Sequence, residues 1–105
     1  MIEYDKLVRD RIPEIVRAAG KVPVTRTVAD ENELKQRLID KLAEEIYEYK
    51  ESGSVEEIAD ILEVLQGLVE QVHGLKWEEV QEIQGRKREE RGGFSKGIVL
   101  KRVEG

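Results

Sequence analysis

Cysteine is absent from this 105-residue chain, which excludes disulfides, thiol nucleophiles and cysteine-ligated zinc. Aromatic residues are sparse, at one Trp, three Tyr and one Phe, so any core must come mainly from Leu, Ile and Val. No apolar run approaches the roughly 18 residues of a membrane span, and the first residues lack a signal-peptide core. The expected setting is therefore the cytoplasm, with no membrane partner. Basic charge is not in excess either: Lys and Arg number 18 against 23 acidic residues, a net charge of -5. That balance argues against a nucleic-acid polymer as partner, because such binding needs a clustered basic surface.

Charge itself is plentiful. Asp, Glu, Lys and Arg make up 39% of the chain, against about 25% in an ordinary globular domain. The two signs are interspersed and apolar residues recur throughout, the pattern of amphipathic helices rather than of disorder. The length suits one domain over residues 1–105, which buries roughly two-thirds of its unfolded surface.

Residues 5–19, DKLVRDRIPEIVRAA, read as a turn leading into a short helix, with Pro13 near its start and Gly20 as its stop. Residues 21–29, KVPVTRTVA, alternate and are rich in β-branched side chains, as a short strand is. Asp30 is placed as an N-cap, with Glu33 at the capping-box position, for a long helix running to about Lys50. ESGS breaks that helix, Ser54 caps a second over about 55–73, and Gly74 ends it. Trp77 opens a third helical stretch that closes before Gly92 and Gly93. GIVLKRV, residues 97–103, reads as a second strand able to pair with 22–28. The expected fold is mainly α: an antiparallel helical bundle with a small two-stranded β ribbon.

Residues 41–62, KLAEEIYEYKESGSVEEIADIL, place carboxylates where helices need apolar faces. At about 100° per residue, Leu34, Leu38, Leu42, Ile46 and Tyr49 share one face of the first long helix. Glu45 projects only about 50° from the centre of that stripe, and Glu48 lies one turn further along the same edge. Glu44 points more nearly the other way, and Lys41 stands four residues before Glu45 as a local ion-pair partner. On the next helix, Ile58, Ile61, Leu62, Val64, Leu65, Leu68, Val69 and Val72 form a broad apolar arc. Glu57 falls inside this arc and Asp60 on its edge, whereas Glu56, Glu63 and Glu70 take the solvent side. Taken alone, Glu57 suits a capping box with Ser54 and a helix dipole, and Glu45 or Glu48 suits a solvated edge. Taken together they read differently. The short KESGS break folds the helices antiparallel, so Glu45, Glu48, Glu57 and Asp60 can meet near the turn. Carboxylates gathered there repel one another unless a cation sits among them. All-oxygen donors suit Mg²⁺, with Mn²⁺ tolerating the same set.

EExxE (Glu44, Glu45, Glu48) followed by ExxD (Glu57, Asp60) resembles the signature of the all-α nucleotide pyrophosphohydrolases of the MazG type. The opening YDKLVRDRIPEI and the later KREERGGF resemble its phosphoribosyl-ATP pyrophosphohydrolase-like subgroup, so the likeness touches nearly the whole chain. One departure is the gap of eight residues between Glu48 and Glu57, short for the superfamily. The resemblance implies a bundle that assembles as a homodimer or homotetramer. It implies a hydrolase that cuts a nucleoside triphosphate, or a related nucleotide, between the α- and β-phosphates and releases pyrophosphate, a house-cleaning activity. By motif position, Glu45, Glu48, Glu57 and Asp60 would be the Mg²⁺ ligands, and Glu44 would stand behind them or help orient the attacking water, making Glu44 and Glu45 the catalytic candidates.

Lys87 and Arg91, one turn apart, are candidates for substrate phosphates beside Lys41, against the alternative of solvated charges at a helix C-terminus. Lys6, Arg9 and Asp10 stand out in KLVRDRIP, as a structural pair or a dimer contact at least as readily as a substrate contact. His73 reads as a helix-end cap and Trp77 as a core or interface anchor. The rival to an enzyme is a non-catalytic helical oligomerisation or nucleotide-sensing module that keeps its acids for structure or binding.

Overall fold

The computed structural model describes residues 4–105. Its elements are α1 (Ile12–Ala18), α2 (Glu31–Ser52), α3 (Val55–Gly67), a π-helical turn (Leu68–Val72) that continues α3, and α4 (Trp77–Arg91).

Helix α1 starts with Pro13 in its first turn, where the missing N–H costs nothing, and stops before Gly20 at φ 80°. Helix α2 is capped as its sequence suggests. Asp30 accepts a hydrogen bond from the Glu33 N–H at 2.8 Å, and the Glu33 carboxylate accepts from the Ala29 N–H at 2.8 Å. Its far end closes on Gly53, which takes the left-handed conformation (φ 65°) and donates its N–H to the Tyr49 carbonyl at 2.7 Å.

Gly53 and Ser54 are the whole connection between α2 and α3, so the helices return antiparallel as a hairpin. Its register is set by close packing: a Cβ at Gly67 would lie 3.1 Å from Leu38 Cδ2, so this glycine lets α3 approach the core of α2. Leu38 and Val64 are the buried apolar side chains among the described residues. Beyond the hairpin, α4 packs against the π turn.

The bundle is thus reduced, within one chain, to a hairpin with an outlying helix. The radius of gyration is 18.1 Å, with extents of 63 × 32 × 23 Å, whereas a compact domain of this length has about 13 Å.

The expected β ribbon of 22–28 with 97–103 does not form among the described residues: both segments run without regular structure. The reason is physical. An isolated two-stranded ribbon is marginal unless it packs on something, and here Val22, Val24, Ile98, Val99, Leu100 and Val103 stand exposed with no apolar surface over them.

Candidate metal centre

Near the hairpin turn, α2 supplies Glu45 and α3 supplies Glu57 and Asp60. One carboxylate oxygen from each lies within 4.8 Å of the others. The helix arithmetic explains the convergence: Glu45 borders the α2 stripe, while Glu57 and Asp60 lie one turn apart on α3.

Glu45 is 6% exposed. Its Oε1 meets Lys41 Nζ at 3.6 Å, but its Oε2 is buried without a hydrogen-bond partner. Glu57 Oε2 is in the same condition. Leaving a buried acceptor unsatisfied costs on the order of 1–3 kcal/mol, and more when charged, so Glu45 is held here against its own solvation.

The electrostatics follow. Burial, and then the neighbouring Glu48, push the Glu45 carboxyl above its ordinary range, with Lys41 opposing. Burial also raises Glu57, with Glu48, Asp60 and Glu45 adding to the effect. Glu44 goes the other way, because Lys6 Nζ donates to its Oε1 at 3.0 Å. One carboxylate of the EExxE motif is therefore neutralised by a lysine, and the next is aimed into the cluster without sufficient counter-charge.

The capping reading of Glu57 is not realised. Ser54 Oγ accepts from the Glu56 N–H at 3.2 Å, and the Ser54 N–H goes to Ser52 Oγ at 3.1 Å. The Glu57 carboxylate turns to the cluster instead. Glu48 is half-buried on the rim, outside the trio yet near enough to raise both Glu45 and Glu57. Glu51, Glu56 and Glu63 are exposed, as solvent charges should be.

The cations at the cluster are Lys41, Lys6 and Arg9. Lys41 bridges Glu44 Oε2 at 3.5 Å and Glu45 Oε1 at 3.6 Å. Arg9 donates from Nη2 to Asp60 Oδ1 at 2.7 Å. Lys87 and Arg91 are not among them; both are exposed on α4, whose packing partner is the π turn. His73 is exposed after the π turn, and Trp77 is half-buried at the start of α4.

Lys6 and Arg9 reach partners 38 and 51 residues away. No helical period links such positions. The only sign of them in the sequence is the basic KLVRDR segment itself.

Three oxygen donors and two unsatisfied buried oxygens make a group that could hold a hard divalent cation.

Comparison with known proteins adds little to this geometry. No protein-family profile matches the chain, and no solved structure matches it. A protein of Mycolicibacterium smegmatis described as uncharacterised is 51% identical over 45 residues, covering 43% of this chain. The match spans 45% of that relative's length.

Proposed function

We propose that the chain is a Mg²⁺-dependent nucleotide pyrophosphohydrolase of the MazG type, working as a homo-oligomer. The observation that carries the reading is Glu45 Oε2, buried and unpartnered, on a carboxylate that gathers within 4.8 Å of those of Glu57 and Asp60. Such an arrangement is unfavourable in the protein alone and becomes favourable with a cation.

Glu45, Glu57 and Asp60, with Glu48 at the rim, would hold the ion; Mn²⁺ suits the same donors. When bound, a divalent ion polarises a phosphate oxygen and lowers the pKa of a coordinated water. Glu44, held by Lys41 one position before Glu45, would accept a hydrogen bond from an attacking water. Lys41 supplies a positive charge at the cluster for substrate phosphate. Cleavage between the α- and β-phosphates releases pyrophosphate and a monophosphate. A house-cleaning role would follow if the substrate is a non-standard nucleotide.

Support for assembly comes from the hairpin's unfilled apolar surface, including Ile46 at 52% exposed and Leu62 at 47%. The broad arc of α3 is wider than α2 alone covers.

The test is pyrophosphate release from a nucleotide panel with and without Mg²⁺. Activity should depend on the metal and fall at least 100-fold in Glu45→Gln, with helicity retained. Tight nucleotide binding without turnover would instead establish the sensing module.

A further inference from the structure

The segment that precedes α1 lies across the α2–α3 hairpin and carries two cations to the cluster. Lys6 is on Glu44, from α2, and Arg9 is on Asp60, from α3. We infer that Lys6 and Arg9 are substrate-phosphate ligands, parked on these carboxylates until a polyphosphate arrives. This rests on the metal-centre reading above and adds residues outside the acidic motifs.

Three features separate this from a simple staple. The segment is anchored independently, because Arg37 donates to the Asp5 carbonyl at 2.7 Å and to Asp5 Oδ1 at 3.1 Å, and Leu7 is half-buried. The two cationic side chains also stay open to solvent, at 43% exposed for Lys6 and 54% for Arg9. Exposed pairs of that kind contribute little stability.

Their hydrogen bonding is also far from saturated. Arg9 places one N–H on one oxygen of Asp60. A guanidinium has five donors in a planar fork suited to phosphate, so most of the fork is unengaged, and the other oxygen of Asp60 is left for a cation. Lys6 likewise uses one of its three donors on Glu44.

Charge points the same way. Glu44, Glu45, Glu48, Glu57 and Asp60 face Lys6, Arg9 and Lys41, which leaves a negative excess comparable to the charge of one divalent ion. Once that excess is neutralised, a polyphosphate brings new negative charge, and the cations already at the rim are those able to turn to it. Arg9 on the α3 side and Lys6 on the α2 side flank the trio, so they grip phosphates from both edges.

The experiment uses the full-length chain, wild type and Arg9→Ala, Arg9→Lys and Lys6→Ala variants. Binding of Mn²⁺ alone is measured first, then binding of inorganic pyrophosphate at saturating Mn²⁺. Wild type should bind both. Arg9→Ala and Lys6→Ala should keep Mn²⁺ affinity within about threefold, or tighten it in Arg9→Ala as Asp60 is freed. Both should weaken pyrophosphate by tenfold or more, and Arg9→Lys should recover part of that loss. Unchanged pyrophosphate affinity in Arg9→Ala and Lys6→Ala, with Mn²⁺ still bound, overturns this inference and leaves the metal reading intact. Absence of Mn²⁺ binding in wild type overturns both. Should the variants lose their helicity, the wild-type protein decides: reaction of Arg9 with phenylglyoxal, read by mass spectrometry at saturating Mn²⁺, should be suppressed by pyrophosphate, and equal labelling overturns the inference.

Discussion

At the scale of single residues, Glu45 and Glu33 are opposite uses of a carboxylate. Glu45 is buried beside other acids, and its carboxyl sits above the ordinary value near 4.5. The folded state therefore holds its proton more tightly than the unfolded one. Its penalty is absent below about pH 4.5 and grows as pH rises through the raised value. Glu45→Gln should stabilise the metal-free protein at pH 7 by on the order of 1 kcal/mol, since replacing an unfavourably buried charge is often stabilising. The gain should shrink toward pH 4; Mg²⁺ should raise the melting temperature of wild type, and the variant should lose that rise. Thermal melts across pH, with and without Mg²⁺, check all three outcomes. Glu33 is held the other way: Arg26 donates to it, the Ala29 N–H and Arg37 add to this, and its carboxyl falls to about 2. Its stabilisation is in place above about pH 4.5 and is lost as pH falls through about 2. Glu33→Gln should melt below wild type at pH 7 and together with it near pH 2.

At the scale of elements, two helical glycines separate backbone entropy from packing. Nothing lies within 4 Å of a Cβ added at Gly85 in α4, so Gly85→Ala should stabilise the helix by about 1 kcal/mol through propensity alone. Gly67→Ala carries the same propensity gain but presses 3.1 Å from the Leu38 side chain, which is buried. Overpacking costs about 1–3 kcal/mol, so this variant should be no more stable than wild type and should fall below Gly85→Ala in urea melts. Elements governed by local chemistry were legible in the sequence: Asp30 and Glu33 cap α2, Ser54 caps α3, Gly53 turns the chain, and Pro13 sits at the start of α1. The convergence of Glu45, Glu57 and Asp60 could also be read, because helical period and a short connection fix it. The choice between capping and cluster for Glu57 could not, since both satisfy the same spacing and only the rotamer decides. The π turn over Leu68–Val72 has no periodic signature either, and the sequence reads there as ordinary helix. The placement of Lys6 and Arg9 depends on how an irregular segment crosses the hairpin, which no local rule specifies.

At the scale of the whole molecule, the fold of one chain leaves work for another surface. The chain is extended beyond a compact domain of its length, and Leu38 and Val64 are the apolar residues it buries among those described. Meanwhile Ile39, Ile46, Ile58 and Leu62 on the hairpin are 40–52% exposed, and the apolar residues of 22–24 and 98–103 are more exposed still. In the proposed homo-oligomer, a second copy would cover these exposed apolar side chains with the same residues on both sides. Sedimentation equilibrium should therefore give a mass at least twice the 12.1 kDa of one chain. Ile46→Glu combined with Leu62→Glu should shift it toward that single-chain mass and lower helicity, because charge on a buried interface is strongly unfavourable. A wild-type protein that sediments at 12.1 kDa across the micromolar range, with melting temperature independent of concentration, would show that one chain is stable with this surface open.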